Sequence, residues 1–325
     1  MNVLELPKAE LHVHLSGAIP TNVVERLTQD YGVTIPRDFL FPNDLQVLRP
    51  VNTLLEYFKP WFILKQLPVG KECLSAMIRA TTQAAAADNV KYMELRHSIT
   101  AMSKNNNISH EIAIEWILEE LDMASAGENI DCRLIVSISR YQLTTKTAWS
   151  LIEAIKNVNY GERVVGVDLA GNEDEPIPED ICEVLRSAKE DLGLGVTVHA
   201  GETGQLQNVL WAIDDCKADR IGHGLAAIKD DKLLEHIKRK EICLEICLTS
   251  NLRTNRVKEL TSHPLHNFIR HDVPFVLCSD NPAIHQASLS YEYELFLKEF
   301  GMPAVLQDMY ESQCKYAFGR IRANG

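Results

Sequence analysis

A chain of 325 residues can bury one large barrel core or two smaller ones. With 46% hydrophobic and 24% charged residues it has the make-up of a globular protein and is too apolar for a disordered one. Its formal net charge of −12, from 45 acids against 33 bases, speaks against a nucleic-acid groove, and its apolar runs are interrupted too often to span a membrane.

The opening residues MNVLELPKAE have no basic stretch leading into a long apolar run. No secretory signal is therefore expected, and the cytoplasm is the expected compartment. Eight cysteines follow no framework spacing. Cys132, Cys243, Cys247 and Cys278 lie in apolar runs and read as reduced core thiols.

In chain order, the first strand-like run is AELHVHL (9–15). A long segment, 18–85, follows; it reads as mostly helical with breaks near Pro36, Pro42 and Pro68, and as a cap over the mouth of the fold. Seven further apolar runs come next: VKYMELRHS, CRLIVSIS, ERVVGVDLA, LGVTVHA, ADRIGHG, EICLEICL and VPFVLCSD. Helix-like stretches lie between or beside them at 107–127, 144–157, 178–190, 206–215, 229–238 and 262–271. Near-continuous apolar runs are the pattern of parallel strands covered on both faces. Strands alternating with helices make a parallel α/β architecture. Eight units fit a (β/α)8 TIM barrel, which takes ~250 residues, with a helical insertion after the first strand absorbing the surplus. One domain over 1–325 is expected, although a doubly wound sheet has the same strand count.

Ligand-type residues sit at the ends of these runs, where barrel enzymes carry their chemistry. The first run ends in His12-Val13-His14, and residues two apart on a strand face the same side. The fifth ends in His199, with Glu202 three residues on. The sixth holds His223, and the eighth ends in Asp280-Asn281. Each alone reads equally well as a hydrogen-bonded core histidine or a strand-end cap. In a closed barrel these ends converge on one rim, and three imidazoles with a carboxylate suit zinc or a similar ion, with a position left for water.

Seven segments carry a resemblance: KAELHVHLSGA (8–18), YMELRHS (92–98), GVDLAGNE (166–173), VHAGET (198–203), RIGHG (220–224), CLTSN (247–251) and SDNPAIH (279–285). In this order, and over essentially the whole chain, they resemble the adenosine deaminase family of the amidohydrolase superfamily. The resemblance implies that His12, His14, His199 and Asp280 hold one divalent metal ion, zinc first among candidates. It implies that Glu202 meets purine N1 and that His223 stands beside the activated water with Asp280. Gly171 would meet purine N3 through its backbone N–H. The substrate shell would hold His14, Ser16, Gly171 and Asn281.

The bottom-up chemistry agrees with these roles. A divalent cation brings the pKa of water toward ~7. A protonated carboxyl at N1 receives the electrons displaced onto the ring. The other zinc deaminase design, with H-x-E and P-C-x-x-C, is absent, and the fourth run lacks the lysine of binuclear relatives, so one metal is expected.

Two positions depart from the common pattern of the family. Ser16 stands where an aspartate is usual, and Asn281 replaces the second aspartate of the last motif, the one that holds N7. Both leave the metal set intact and bear on substrate. The expected activity is hydrolytic deamination of a 6-aminopurine nucleoside, adenosine to inosine and ammonia. Alternatives are adenine, a modified adenosine, a nucleotide or a non-purine amide. The expected partner is that small molecule, with neither nucleic acid nor membrane; no oligomeric state is legible.

Overall fold

A computed structural model describes residues 1–321. Its eight strands are β1 (Lys8–His14), β2 (Val90–His97), β3 (Asp131–Ser139), β4 (Val164–Ala170), β5 (Gly195–Ala200), β6 (Arg220–His223), β7 (Cys243–Ile246) and β8 (Phe275–Leu277). Each falls within or largely overlaps one of the eight apolar runs. They form one sheet in chain order, and every neighbouring pair is parallel. Consecutive order leaves no point at which the winding reverses, so the doubly wound alternative falls. The sheet closes through a single bridge between Val13 and Asp280. There the Asp280 N–H donates to the His12 carbonyl at 2.8 Å and the His14 N–H to the Asp280 carbonyl at 2.9 Å. The result is a nearly closed (β/α)8 TIM barrel.

The helices begin where the sequence offers caps. Ser109, Thr144 and Ser288 accept from the backbone N–H three residues on, and Asp230 from that two residues on. The expected helix at 107–127 is His110–Glu128, and a second one, Ile99–Asn106, precedes it, ended by Asn107 in a left-handed conformation. Helices also follow β8, at Leu289–Phe300, Pro303–Gln307 and Met309–Tyr316, a region where no element was read from the sequence. Within 18–85, Thr21–Asp30 and Gly70–Ala87 are the longer helices, and the second packs on His110–Glu128 in the outer ring. Cis peptide bonds precede Pro42 and Pro68, two of the expected breaks. No helix among the described residues is long and apolar enough to cross a membrane.

The barrel interior is ionic rather than aliphatic. Glu245 on β7 accepts from Arg96 Nη2 at 2.6 Å, Arg220 Nε at 2.7 Å and His12 Nδ1 at 2.6 Å, with all four side chains buried. Paired with one another, such charges tolerate burial; singly they would not. The four thiols expected in the core are free and buried. Cys182 and Cys216, 34 residues apart in no recognisable framework, form a disulfide.

Candidate active site

β1 delivers His12 and His14 to the same rim, β5 delivers His199, and the turn after β8 delivers Asp280. The three imidazoles offer nitrogens within 4.8 Å of one another. His14 Nε2 and His199 Nε2 are 3.3 Å apart, and Asp280 Oδ1 lies 3.4 Å from His14 Nε2 and 3.5 Å from His12 Nε2. Outer partners orient two of the rings. His12 Nδ1 is 2.6 Å from Glu245 Oε2, and His199 Nδ1 is 3.0 Å from Asp168 Oδ1. With each Nδ1–H donated to a carboxylate, Nε2 is left as a bare lone pair. His12 Nε2 is buried with no hydrogen bond of its own. Burial pushes the pKa of His14 down to about 3, which keeps that ring a neutral ligand. Converging lone pairs beside a carboxylate are the donor set that a zinc-type cation takes, and without a cation they repel.

Asp280 holds its place by strained geometry. Its φ is 61°, in the left-handed region, and Ser250 Oγ donates to its Oδ2 at 2.6 Å. Burial would raise its pKa, but the imidazoles of His12, His14 and His223 gathered around it hold it well below the usual carboxylate range. One strand layer below, the Glu10 carboxylate accepts from the His12 N–H at 3.0 Å, the Ser279 N–H at 3.1 Å and Ser279 Oγ at 2.6 Å. It therefore ties β1 to the end of β8 beneath the cluster.

Glu202 and His223 share the same cleft, His223 Nε2 lying 4.0 Å from Glu202 Oε2. The turn that carries Glu202 is fixed by Glu173. That carboxylate accepts from the N–H groups of Gly201, Glu202 and Thr203 at 2.6–2.9 Å and from Asn208 Nδ2 at 2.7 Å. Gly201, at φ 74°, supplies the bend. His223 is buried and itself left-handed at φ 65°.

Asn281 lies beside Asp280, buried, with Nδ2 3.4 Å from Tyr57 Oη and Oδ1 unpartnered. Ser16 is half-buried in the short helix Leu15–Ala18 after β1, and Gly171 is exposed just past the end of β4 with φ 106°. The structure thus brings His12, His14, His199, Asp280, Glu202 and His223 into one cluster with Asn281 at its edge, and leaves Ser16 and Gly171 on the rim. Several residues at the site were not picked out in the sequence. Glu173, Ser250 and Asn251 lay inside the quoted motifs GVDLAGNE and CLTSN, and a polar residue at a strand end was signal enough to single them out. His285 likewise closes the quoted motif SDNPAIH, whereas Tyr57 and His263 reach the site by tertiary approach, for which spacing offers no sign.

A family model described as adenosine deaminase matches residues 7–318. The adenosine deaminase of Clostridium botulinum strain 657 is 32% identical over 306 residues, 93% of this chain and 91% of the relative. Among solved structures, the N6-methyl-AMP deaminase of Arabidopsis thaliana superposes with a TM-score of 0.83 at 26% identity, covering 98% of this chain and 94% of that one. An amidohydrolase from Burkholderia ambifaria with bound zinc superposes with a TM-score of 0.85 at 25% identity, covering 99% and 87%.

Proposed function

The chain belongs to the adenosine deaminase family of metal-dependent hydrolases, and on that premise we propose that it converts adenosine to inosine and ammonia. In this reading His12, His14, His199 and Asp280 hold one divalent cation, zinc by the nitrogen-and-oxygen character of the set. When bound, the cation supplies hydroxide near neutral pH by bringing the pKa of water toward ~7.

The protein's own groups do the rest. Attack at C6 pushes an electron pair into the purine ring, and N1 takes a proton from the Glu202 carboxyl. The Glu202 side chain keeps 21% of its exposure in the open cleft. A ring settling over it expels that remaining water, the condition under which a carboxyl retains a proton to give. Asp280 accepts the proton that the attacking water loses, steadied by Ser250. As the tetrahedral C6 collapses, the C6–N bond breaks while Asp280 returns its proton to the amine, which leaves as ammonia, and the C6 hydroxyl proton restores the Glu202 carboxyl. Gly171 and Ser16 on the rim, with the Asn281 amide, form the substrate shell. The part of segment 18–85 ahead of the outer-ring helix Gly70–Ala87 serves as a cap within a single domain, since its Tyr57 reaches the cleft.

The observation that carries this reading is the set of bare imidazole nitrogens in the same cleft as Glu202 and His223: a place for an activated water beside a proton donor. The relative named adenosine deaminase favours a nucleoside. A nucleotide has one observation in its favour. Arg253 and Arg256, after β7, each have a buried, unpartnered Nε and form no ion pair among the described residues. Ammonia release by the zinc-loaded enzyme from adenosine, adenine, N6-methyladenosine, AMP and N6-methyl-AMP separates these readings. Adenosine should lead in kcat/KM by roughly 10-fold or more, a difference of about 1.4 kcal/mol. A nucleotide or the free base in first place overturns the nucleoside assignment.

A further inference from the structure

Behind His223 the direction of every hydrogen follows from one backbone amide. The Leu265 N–H donates to His263 Nδ1 at 3.0 Å. His263 is buried, which pushes its pKa down to about 3, so the ring carries a single hydrogen. With Nδ1 accepting, that hydrogen is on Nε2. His263 Nε2 lies 3.2 Å from Asn251 Oδ1 and therefore donates to it. The amide of Asn251, fully buried, is thereby turned with its nitrogen toward His223, whose Nδ1 is 3.2 Å from Nδ2. An amide nitrogen only donates, so His223 Nδ1 accepts and the His223 hydrogen resides on Nε2. The reverse arrangement fails at its first link, since an Nδ1–H on His263 would confront the Leu265 N–H.

We propose that Asn251 and His263 are positioning residues that lock His223 as the Nε2–H tautomer, so that it works in the cleft as a hydrogen-bond donor and not as a base. The inference rests on the proposed place of His223 beside the attacking water. Nε2 already carries its hydrogen and Nδ1 is blocked by the amide, so the ring has no free site for another proton. The proton lost when the water O–H bond breaks then goes to the Asp280 carboxylate, and from there to the departing amine. A single wrong tautomer at such a position misdirects a hydrogen bond that the reaction needs.

The test uses zinc-loaded protein with isotope-labelled histidine nitrogens, read by proton–nitrogen correlation spectra that distinguish the two tautomers. His223 signals are assigned by their loss in His223→Gln. The parent should show His223 as Nε2–H. Asn251→Asp keeps the shape but presents only acceptors, so His223 should switch to Nδ1–H. In that variant kcat should fall by roughly 10²-fold or more, with zinc content and KM close to parental. His263→Leu frees the amide and should lower kcat as well, while His263→Gln restores a donor toward Asn251 and should recover most of the loss. A parental His223 found as Nδ1–H, or an Asn251→Asp enzyme with parental kcat, overturns the proposal. Where Asn251→Asp does not fold, the His263 pair decides by the same spectra: tautomer and rate unchanged in both variants also overturns it. The tautomer is read without substrate, so failure of the adenosine reading and failure of this one are separate results.

Discussion

The carboxamide of Asn281 lies so close to Gly17 that a Cβ built there would sit 1.8 Å from Oδ1. Gly17 is thus the residue that lets Asn281 stand beside Asp280. With the oxygen against the glycine, Nδ2 turns to Tyr57, whose hydroxyl also lies 3.2 Å from His285 Nε2. Burial pushes the pKa of His285 down to about 4, which keeps that ring neutral. Only one of the two Nδ2 hydrogens is used in this chain, and the other is free for a ligand. Purine N7 is a pure acceptor and fits it. Replacing N7 by carbon leaves a buried donor unsatisfied, at about 1–3 kcal/mol. The 7-deaza analogue of the best substrate should therefore lose roughly 5- to 150-fold in kcat/KM, and Asn281→Ala should erase most of that difference. Equal discrimination by parent and variant would mean that Asn281 does not read N7. From the sequence, Asn281 was legible as a departure in a recognisable motif. Tyr57 was not, because only the packing of segment 18–85 brings it there.

The segment after Met309–Tyr316 closes the opposite end of the barrel. Phe318 lies under the Arg220 guanidinium, 3.6 Å from ring centroid to Cζ, while Arg220 Nη1 pairs with Glu94 at 2.7 Å and donates to the Tyr316 carbonyl at 2.9 Å. The Phe318 N–H donates to Glu94 Oε1 at 2.6 Å. The ring enters the space left by Gly195 at the start of β5 and Gly166 on β4; a Cβ on them would come within 2.2 Å and 2.6 Å of it. In the sequence those glycines fell inside strand runs with no apparent task, and the plug itself lay beyond the last recognised motif. A strand glycine that admits another side chain shows its purpose only in three dimensions. Gly195→Ala should force the ring out of its slot and destabilise the fold by about 1–3 kcal/mol. In the background of Phe318→Ala the same change should be nearly free, since the clashing atoms are gone. Chemical denaturation of the two single variants and the double variant gives the coupling. Additive effects would show that Phe318 does not occupy the glycine slot in solution.

The eight strands were legible because each is buried on both faces and leaves an uninterrupted apolar signature. The way the barrel closes was not, because closure is a matter of register between the first strand and the last. β1 and β8 meet through one bridge and two backbone hydrogen bonds, supported from below by Glu10, whereas the other neighbours share ladders of three to six registered pairs. The candidate metal set straddles this seam: His12 and His14 lie on one side, Asp280 on the other, and His199 across the mouth. A cation held there binds only the folded barrel and so adds to its stability, by about 2.7 kcal/mol at a free concentration 100 times the Kd. Stripping the metal with a chelator should therefore lower Tm by a few degrees or more, and zinc should restore it. The loss should also be local. The amides of His14 and Asp280, which donate across the seam, should exchange with solvent faster in the stripped protein, while those in the ladder between β3 and β4 keep their protection. An unchanged Tm, or exchange that rises equally in all eight strands, would detach metal binding from barrel closure.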